Sequence, residues 1–353
     1  MRLEGAVHAI RTAVTMSVLD DVHVVRVAGD EARAAVAHLL PCDLTMRDHE
    51  ARATLLLDER GRVLADVVVA RQDAGWLLFV EGLDARSLRA HLTRVVGERA
   101  TVDELSPRHR IVSINGPYAW QLMAALEGPG IAALRYMTLS RGGEIVCLRA
   151  GKTGEYGYDL VVPADSLAAT VARIHAAGSE LGLVEVDRQA LSVGAFESGF
   201  FDAHHPGMRG LDPVELGLQW RVTYDRAYVG SEALHAARRR SPRRLTALRA
   251  AAPFHAGDDV FHHTEPIGRV VRAGFSPTLE SWIGAALIDR HLAHSGIAAF
   301  VTQSEDGSRT PLRTVSPPFV TNQSLYVKPG RNRYADRANL SHPGFDAERL
   351  RCL

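Results

Sequence analysis

The densest group of residues able to do chemistry is Gly151-Lys152-Thr153-Gly154-Glu155-Tyr156-Gly157-Tyr158-Asp159-Leu160. Its closely spaced glycines let the backbone pass near a flat ligand, and Glu155 would aim a carboxylate into that space. The Gly-Lys-Thr imitates the end of a phosphate loop, but Val146 stands where that loop needs its first glycine. On spacing alone the segment is a turn before it is a ligand loop. Two histidine pairs, His204-His205 and His262-His263, lack the i, i+4 spacing or neighbouring acids of a metal site, so no metal is expected. The arginines at 238–240, 243 and 244 read as a solvated connector, and Trp220 and Tyr224 as core residues of a strand.

Composition narrows the classes. Formal net charge is zero, which removes the electrostatic case for nucleic acid or a membrane surface. Apolar runs are too short to span a bilayer, no basic-then-apolar leader opens the chain, and Cys42, Cys147 and Cys352 are too scattered for a disulfide framework. A cytoplasmic, reduced protein is expected. Lys152 and Lys328 are the lysines among 41 basic residues, an arginine bias that a GC-rich genome explains; against it a retained ammonium stands out.

The elements that must position these residues are α/β throughout. Val22 to Val27 alternates like a strand, and Asp30 to Leu40 has an amphipathic helical stripe. Ala53 to Leu57 and Val63 to Val69 form a hairpin about Asp58-Glu59-Arg60-Gly61. A strand at Trp76 to Val80, a helix from Asp84 to Val96, a strand at Arg110 to Ile114 and a helix through Ala125 complete a small α/β sandwich. Asp159 to Val162 and Ser166 to Ala177 read as strand and helix, and Ala236 to Leu248 as an exposed connector. Beyond it, short strands at Ile267–Ala273, Ile283–Ile288, Ala298–Val301 and Leu312–Val315 suggest a barrel.

Thr153-Gly154-Glu155 with Gly157-Tyr158-Asp159 resembles the TGE-x-G-aromatic-acid signature of the glycine cleavage T-protein family. Gly61 to Asp66 is similar to that family's GG-apolar-apolar-DD hairpin. Ala190-Leu191 with Glu197-Ser198-Gly199-Phe200 resembles its AL…RIEKGF helix, and Asp212 to Leu234 its TPLEAGL…FIGKEAL stretch. Gly274 to Leu279 and Pro317 to Val320 match its terminal barrel. Each piece is weak; their shared order, from about Gly29 to Val320, is specific.

The resemblance implies an α+β cloverleaf of three domains with ferredoxin-like α/β units. The expected divisions are 1–50 plus 135–240, 51–134, a C-terminal β-barrel at 245–325, and a tail at 326–353. It also implies tetrahydrofolate, or a 5-substituted or 5,10-methylene derivative, in the central hole. Asp66 takes the place of the family's key carboxylate, and moving a proton at nitrogen is work a positioned carboxylate can do; the lesser alternative is a turn residue flanking a strand. Glu155, with Gly154 and Tyr158, would border the pterin. Ala65, Ala53, Ala70 and Ala195 stand where the family carries an acid, two tyrosines and an arginine, while Glu81 and Lys152 bring new charges. They suggest a specialised amine substrate, small or carrier-bound, receiving or giving an aminomethyl, methyl or formimidoyl group. Other readings are a folate-dependent demethylase with a partner dehydrogenase, and a non-catalytic folate binder; the KGCYxGQ motif that marks the latter branch is missing at Glu197 to Asp202.

Overall fold

The computed structural model describes residues 2–73, 75–304 and 307–347. The chain opens with α1 (Leu3–Thr12), β1 (Val14–Leu19), β2 (Val22–Ala28) and α2 (Ala32–Leu39). The expected hairpin follows as β3 (Ala51–Leu57) and β4 (Val63–Gln72), then β5 (Gly75–Glu81), α3 (Ala85–Val96) and β6 (Thr101–Glu104). Asp84 caps α3 by accepting the Ser87 amide, which is why the helix starts there. Next come β7 (His109–Asn115), α4 (Ala119–Glu127), β8 (Leu139–Gly142), β9 (Ile145–Leu148) and β10 (Gly157–Pro163). Then α5 (Leu167–Gly178), β11 (Leu183–Glu185) and α6 (Arg188–Glu197) precede a long irregular stretch that ends at α7 (Ser231–Arg240). Six strands close the C-terminal barrel: β12 (Arg243–Ala250), β13 (Asp259–His262), β14 (Glu265–Ser276), β15 (Ser281–Asp289), β16 (Phe300–Gln303) and β17 (Arg309–Val315).

The barrel runs β12-β15-β14-β13-β16-β17, as the strand pattern implied. The two open sheets divide the chain differently from the sequence reading. The first sheet is β11-β1-β7-β10-β9-β8, and the second is β3-β4-β5-β2-β6. Thus β2, placed by sequence with the opening domain, belongs to the second sheet; β7 and α4, placed with 51–134, belong to the first. Backbone pairing decides this: Val22 opposes Glu81 across β2 and β5, and Leu19 opposes Ile111 across β1 and β7. Nor is 236–248 a connector. Its first part completes α7, and from Arg243 the chain pairs with β15 as a barrel strand with Leu248 fully buried.

Period-two alternation then places the site. On β4, Ala65, Val67 and Val69 pack beneath α2 and α3, with Val36, Leu39, Leu88 and Leu92. The opposite face, carrying Asp66, Val68 and Ala70, looks toward the first sheet. There Ala70, Leu77 and Phe79 meet Ile111, Leu148 and Val161 in one apolar cluster. Burying each large side chain in such a seam contributes roughly 1.5–3 kcal/mol, so the two sheets are held face to face strongly enough to support a gap between them. Residues 326–347 are a packed segment rather than a loose tail: Tyr156 donates its hydroxyl to the Val327 carbonyl, and the Tyr334 amide donates to Gln121.

Candidate functional site

The gap is a cavity of about 580 Å³ between the two sheets, closed on a third side by the irregular stretch around Phe200 and Trp220 to Thr223. Its walls are largely apolar, with Leu19, Val68, Phe79, Ile111 and Leu148 among them. Charged groups, among them Asp66, Glu81, Lys152, Asp159 and Arg221, also line it, the mixture expected of a site that buries an organic ligand and orients it through few polar contacts.

Asp66 lies in this wall and is 2% exposed. Directly across the β4–β5 ladder from it is Glu81. Two like charges in opposed positions repel, and a cation resolves the conflict. The ammonium of Lys152 sits 2.8 Å from Asp66 Oδ2 and 2.9 Å from Glu81 Oε2. Arg221 donates to Asp66 Oδ1 at 2.7 Å, and Arg188, the first residue of α6, donates to Glu81 at 3.0 Å and reaches Asp21 at 2.9 Å. Burial pushes Glu81 up, yet Lys152 and Arg188 outweigh it and hold the carboxyl at about 2. Burial likewise works against the Lys152 ammonium, and Asp66 and Glu81 more than restore it, so its pKa is raised. The two new charges that sequence comparison marked out separately, Lys152 and Glu81, are therefore one ion pair.

Asp159, on the cavity-facing side of β10, differs from these. Its side chain accepts the Ser113 hydroxyl at 2.6 Å, and burial pushes it up to about 6 despite that bond. A small annex of about 50 Å³ continues the cavity past Asp159 to Arg188, Ser192, Ala195 and Asp202. At the mouth, Trp220 is 69% exposed and Tyr136 59%, and both line the opening. Trp220 is thus on a short 3-10 turn over Arg221, not in a core strand, and Tyr224 is half-buried under the guanidinium of Arg238.

Three of the expected site residues lie elsewhere. The carboxylate of Glu155 is outside the cavity wall, taken up by fixed partners: Arg11 at 3.4 Å, the Gln323 amide at 3.1 Å, and the Ser324 amide and hydroxyl at 2.7 and 2.6 Å. Gly154, with φ of 82°, packs under the side chains of Asn322 and Ser198. Tyr158 points the other way from Asp159, into the core beneath α4 and α5, with Arg149 over its ring. Of the alanines read as missing walls, Ala53 lines the cavity and Ala195 the annex, while Ala70 is buried in the inter-sheet core. Asp66, Glu81 and Lys152 are the expected residues that the fold brings together. Sequence reasoning assigned no role to Asp159, Arg188 or Arg221. Alternation from Gly157 would have put Asp159 and Tyr158 on opposite faces; nothing local marked the arginines in so arginine-rich a chain.

The GCVT N-terminal domain matches residues 3–226, and the glycine cleavage T-protein C-terminal barrel domain matches 243–321. The chain belongs to the glycine cleavage T-protein family. Relatives named aminomethyltransferase include those of Saccharopolyspora erythraea, 28% identical over 326 residues and 88% of each chain, and of Thermotoga petrophila, 25% identical over 302 residues and 80% of each. A solved glycine cleavage aminomethyltransferase T from Bartonella henselae shares the fold, with a TM-score of 0.82 at 21% identity over 91% of this chain and 90% of that one. Members of this T-protein family carry out folate-dependent one-carbon transfer in general. No helix among the described residues is long and apolar enough to cross a membrane.

Proposed function

We propose that this protein is a tetrahydrofolate-dependent one-carbon transferase acting on an amine, small or carrier-bound, that differs from the housekeeping glycine-cleavage donor. The observation that carries the reading is Asp66, set in the wall of a large apolar cavity between a fixed ammonium and a fixed guanidinium. The cavity suits a reduced folate in size and chemistry: flat apolar walls, and in Asp159 a carboxyl with acceptor capacity beyond its Ser113 bond. Asp159 would hold the edge of a pterin, the apolar walls would flank its faces, and Tyr136 and Trp220 would meet the outer part of the molecule. When bound, tetrahydrofolate supplies the nitrogens that take up or release the one-carbon unit.

The protein's own part is placement and proton handling. Lys152 and Arg221 each hold one oxygen of Asp66, fixing the carboxylate plane against the cavity. A nitrogen brought beside it can pass a proton to Asp66 or receive one. Val68, Phe79 and Leu148 give the cavity apolar walls. The donor reading rests on Ala53 and Ala195, which leave open the places of a tyrosine and an arginine, and on the Lys152–Glu81 pair, which fills one end with a closed ionic contact. Partners fitted to the usual geometry would sit differently, and misplacement by about 1 Å can cost a hundredfold in rate.

Calorimetric titration with tetrahydrofolate and its 5-methyl and 5-formyl forms tests the first part, with dissociation constants of about 1–100 µM expected. Absence of heat and of thermal shift with all of them overturns it. Supplying aminomethylated lipoyl carrier and measuring ammonia tests the second; housekeeping rates would refute the specialised donor.

A further inference from the structure

Arg221 has more donors than Asp66 uses. It ends the short turn Gln219–Arg221 and is 7% exposed, in the wall of the central cavity. Among the described residues its guanidinium makes one hydrogen bond, from Nη1 to Asp66 Oδ1 at 2.7 Å. Its Nε is buried and has no partner. Nε and Nη2 together form the side edge of a guanidinium, an edge that meets a carboxylate with two parallel bonds. The other cations of this wall are held by acids: Lys152 bridges Asp66 and Glu81, and Arg52 lies 3.1 Å from Asp43. A buried donor without an acceptor costs free energy, and a ligand oxygen placed on it removes that cost.

Given the one-carbon transferase reading on which this rests, we propose that the amine is a free α-amino acid, its nitrogen beside Asp66 and its carboxylate on the Nε–Nη2 edge of Arg221. In an α-amino acid the nitrogen and the carboxylate carbon share one neighbour, so the two groups can reach an acid and a guanidinium that are themselves 2.7 Å apart. The zwitterion also adds no net charge to a wall in which Asp66 and Arg221 are already paired. A simple alkylamine or a carrier-bound aminomethyl group has no carboxylate and would leave the Arg221 edge unpaired. Trp220 lies over the guanidinium, its ring centre 5.0 Å from Cζ, and is largely exposed, so it can turn aside as the carboxylate enters. The glutamyl carboxylates of tetrahydrofolate are a second source of the same chemistry. A benzoyl ring separates them from the pterin nitrogens that react, whereas Arg221 is bonded to Asp66 itself.

Ligand-observed NMR titrations of the full chain with glycine, glycinamide and 4-aminobutanoate, run with and without saturating tetrahydrofolate, test the assignment. Glycine is expected to bind saturably and about tenfold or more tighter than glycinamide, which keeps the ammonium and lacks the carboxylate charge. 4-Aminobutanoate, whose charges are farther apart, should bind as weakly as glycinamide. In Arg221→Gln glycine should fall to the level of glycinamide, and Arg221→Lys should recover part of the difference. The comparison of glycine with glycinamide on wild type stands even if a variant fails to fold. Titrating tetrahydropteroate beside tetrahydrofolate separates the two carboxylate sources: removing the glutamyl group should cost the same affinity in wild type and in Arg221→Gln. Equal affinity for glycine and glycinamide, no saturable binding at millimolar glycine, or a glutamyl contribution that vanishes in Arg221→Gln each overturns the proposal. Calorimetric silence toward tetrahydrofolate, with glycine still preferred over glycinamide, would sink the folate reading and leave the carboxylate site standing.

Discussion

Two buried ionic clusters among the described residues are built from similar parts and differ in what lies beside them. In one, Arg11 is fully buried and joins Glu155 at 3.4 Å and Glu197 at 2.9 Å; it also donates to the carbonyls of Thr153 and Gly194. Glu197 accepts further bonds from Ser276 and Thr278 of the barrel side, and Glu155 from residues 323 and 324. In the other, Lys152 joins Asp66 and Glu81, with Arg221 and Arg188 behind them. The first cluster is closed: its acids are filled from several directions by the chain's own donors, and it fastens α1, α6, the barrel and the C-terminal segment to one another. The second opens on a cavity. What separates the two sets of carboxylates is the space beside them, not their burial or their partners.

The sharpest way to break that contrast is to remove one acid from the open cluster. Asp66→Asn should keep the fold and folate binding and slow one-carbon transfer to tetrahydrofolate by about 10²–10⁴-fold, the range of a lost acid–base group. Unchanged rates would make Asp66 a second structural carboxylate. The closed cluster should respond the other way. Arg11→Met strands two buried acids and should lower unfolding stability by about 3–5 kcal/mol in denaturant titrations. Its milder counterpart Glu155→Gln should cost roughly 1–3 kcal/mol and leave folate affinity within twofold; a large loss of affinity would return Glu155 to the site.

A double-mutant cycle on Lys152→Met and Glu81→Gln tests whether the two unusual charges form one unit. The coupling in stability should be about 0.5–3 kcal/mol, and additive effects would separate them. The smallest expected effect concerns pH. Asp159, raised to about 6, binds a proton more readily folded than unfolded, so its contribution to stability falls as pH rises from about 4 to 6. Glu81, held at about 2, contributes with the opposite sign: its stabilisation is present above its ordinary value of 4.5 and fades as pH drops toward 2. Asp159→Asn should therefore lose more stability than wild type on acidification from pH 6 to 4, read from unfolding midpoints. A parallel pH curve for the variant would contradict the raised value.

Much of this was legible in the sequence, and the limits have physical causes. The hairpin of β3 and β4, the helix capped by Asp84 and the barrel strands announce themselves through local periodicity and turn chemistry. Sheet membership does not: whether β2 pairs with β5 or with the opening sheet depends on contacts far apart in sequence. Asp66, marked in the sequence by a family motif, lies in the cavity wall. Glu155 carries a family motif too, but a motif reports only that a residue is constrained, and a carboxylate held by Arg11 and Ser324 is as constrained as one that holds a ligand. Asp159 was hidden one position beyond Tyr158, on the other side of the strand. Lys152 and Glu81 were both noticed, but only the β4–β5 register and the return of the Gly151 loop show that they neutralise each other.

The central claim is that the gap between the two sheets is the folate site and that the Arg11 cluster is not. Trp220, exposed at the mouth of that gap, reports on it directly. Titrating wild type and Trp220→Phe with 5-formyltetrahydrofolate, and taking the difference in tryptophan emission, isolates the signal of this one ring. The account predicts a saturable change in the difference signal that disappears in Asp159→Leu and persists in Glu155→Gln. Binding detected by calorimetry with no change at Trp220, or a signal abolished by Glu155→Gln in a folded protein, would contradict it.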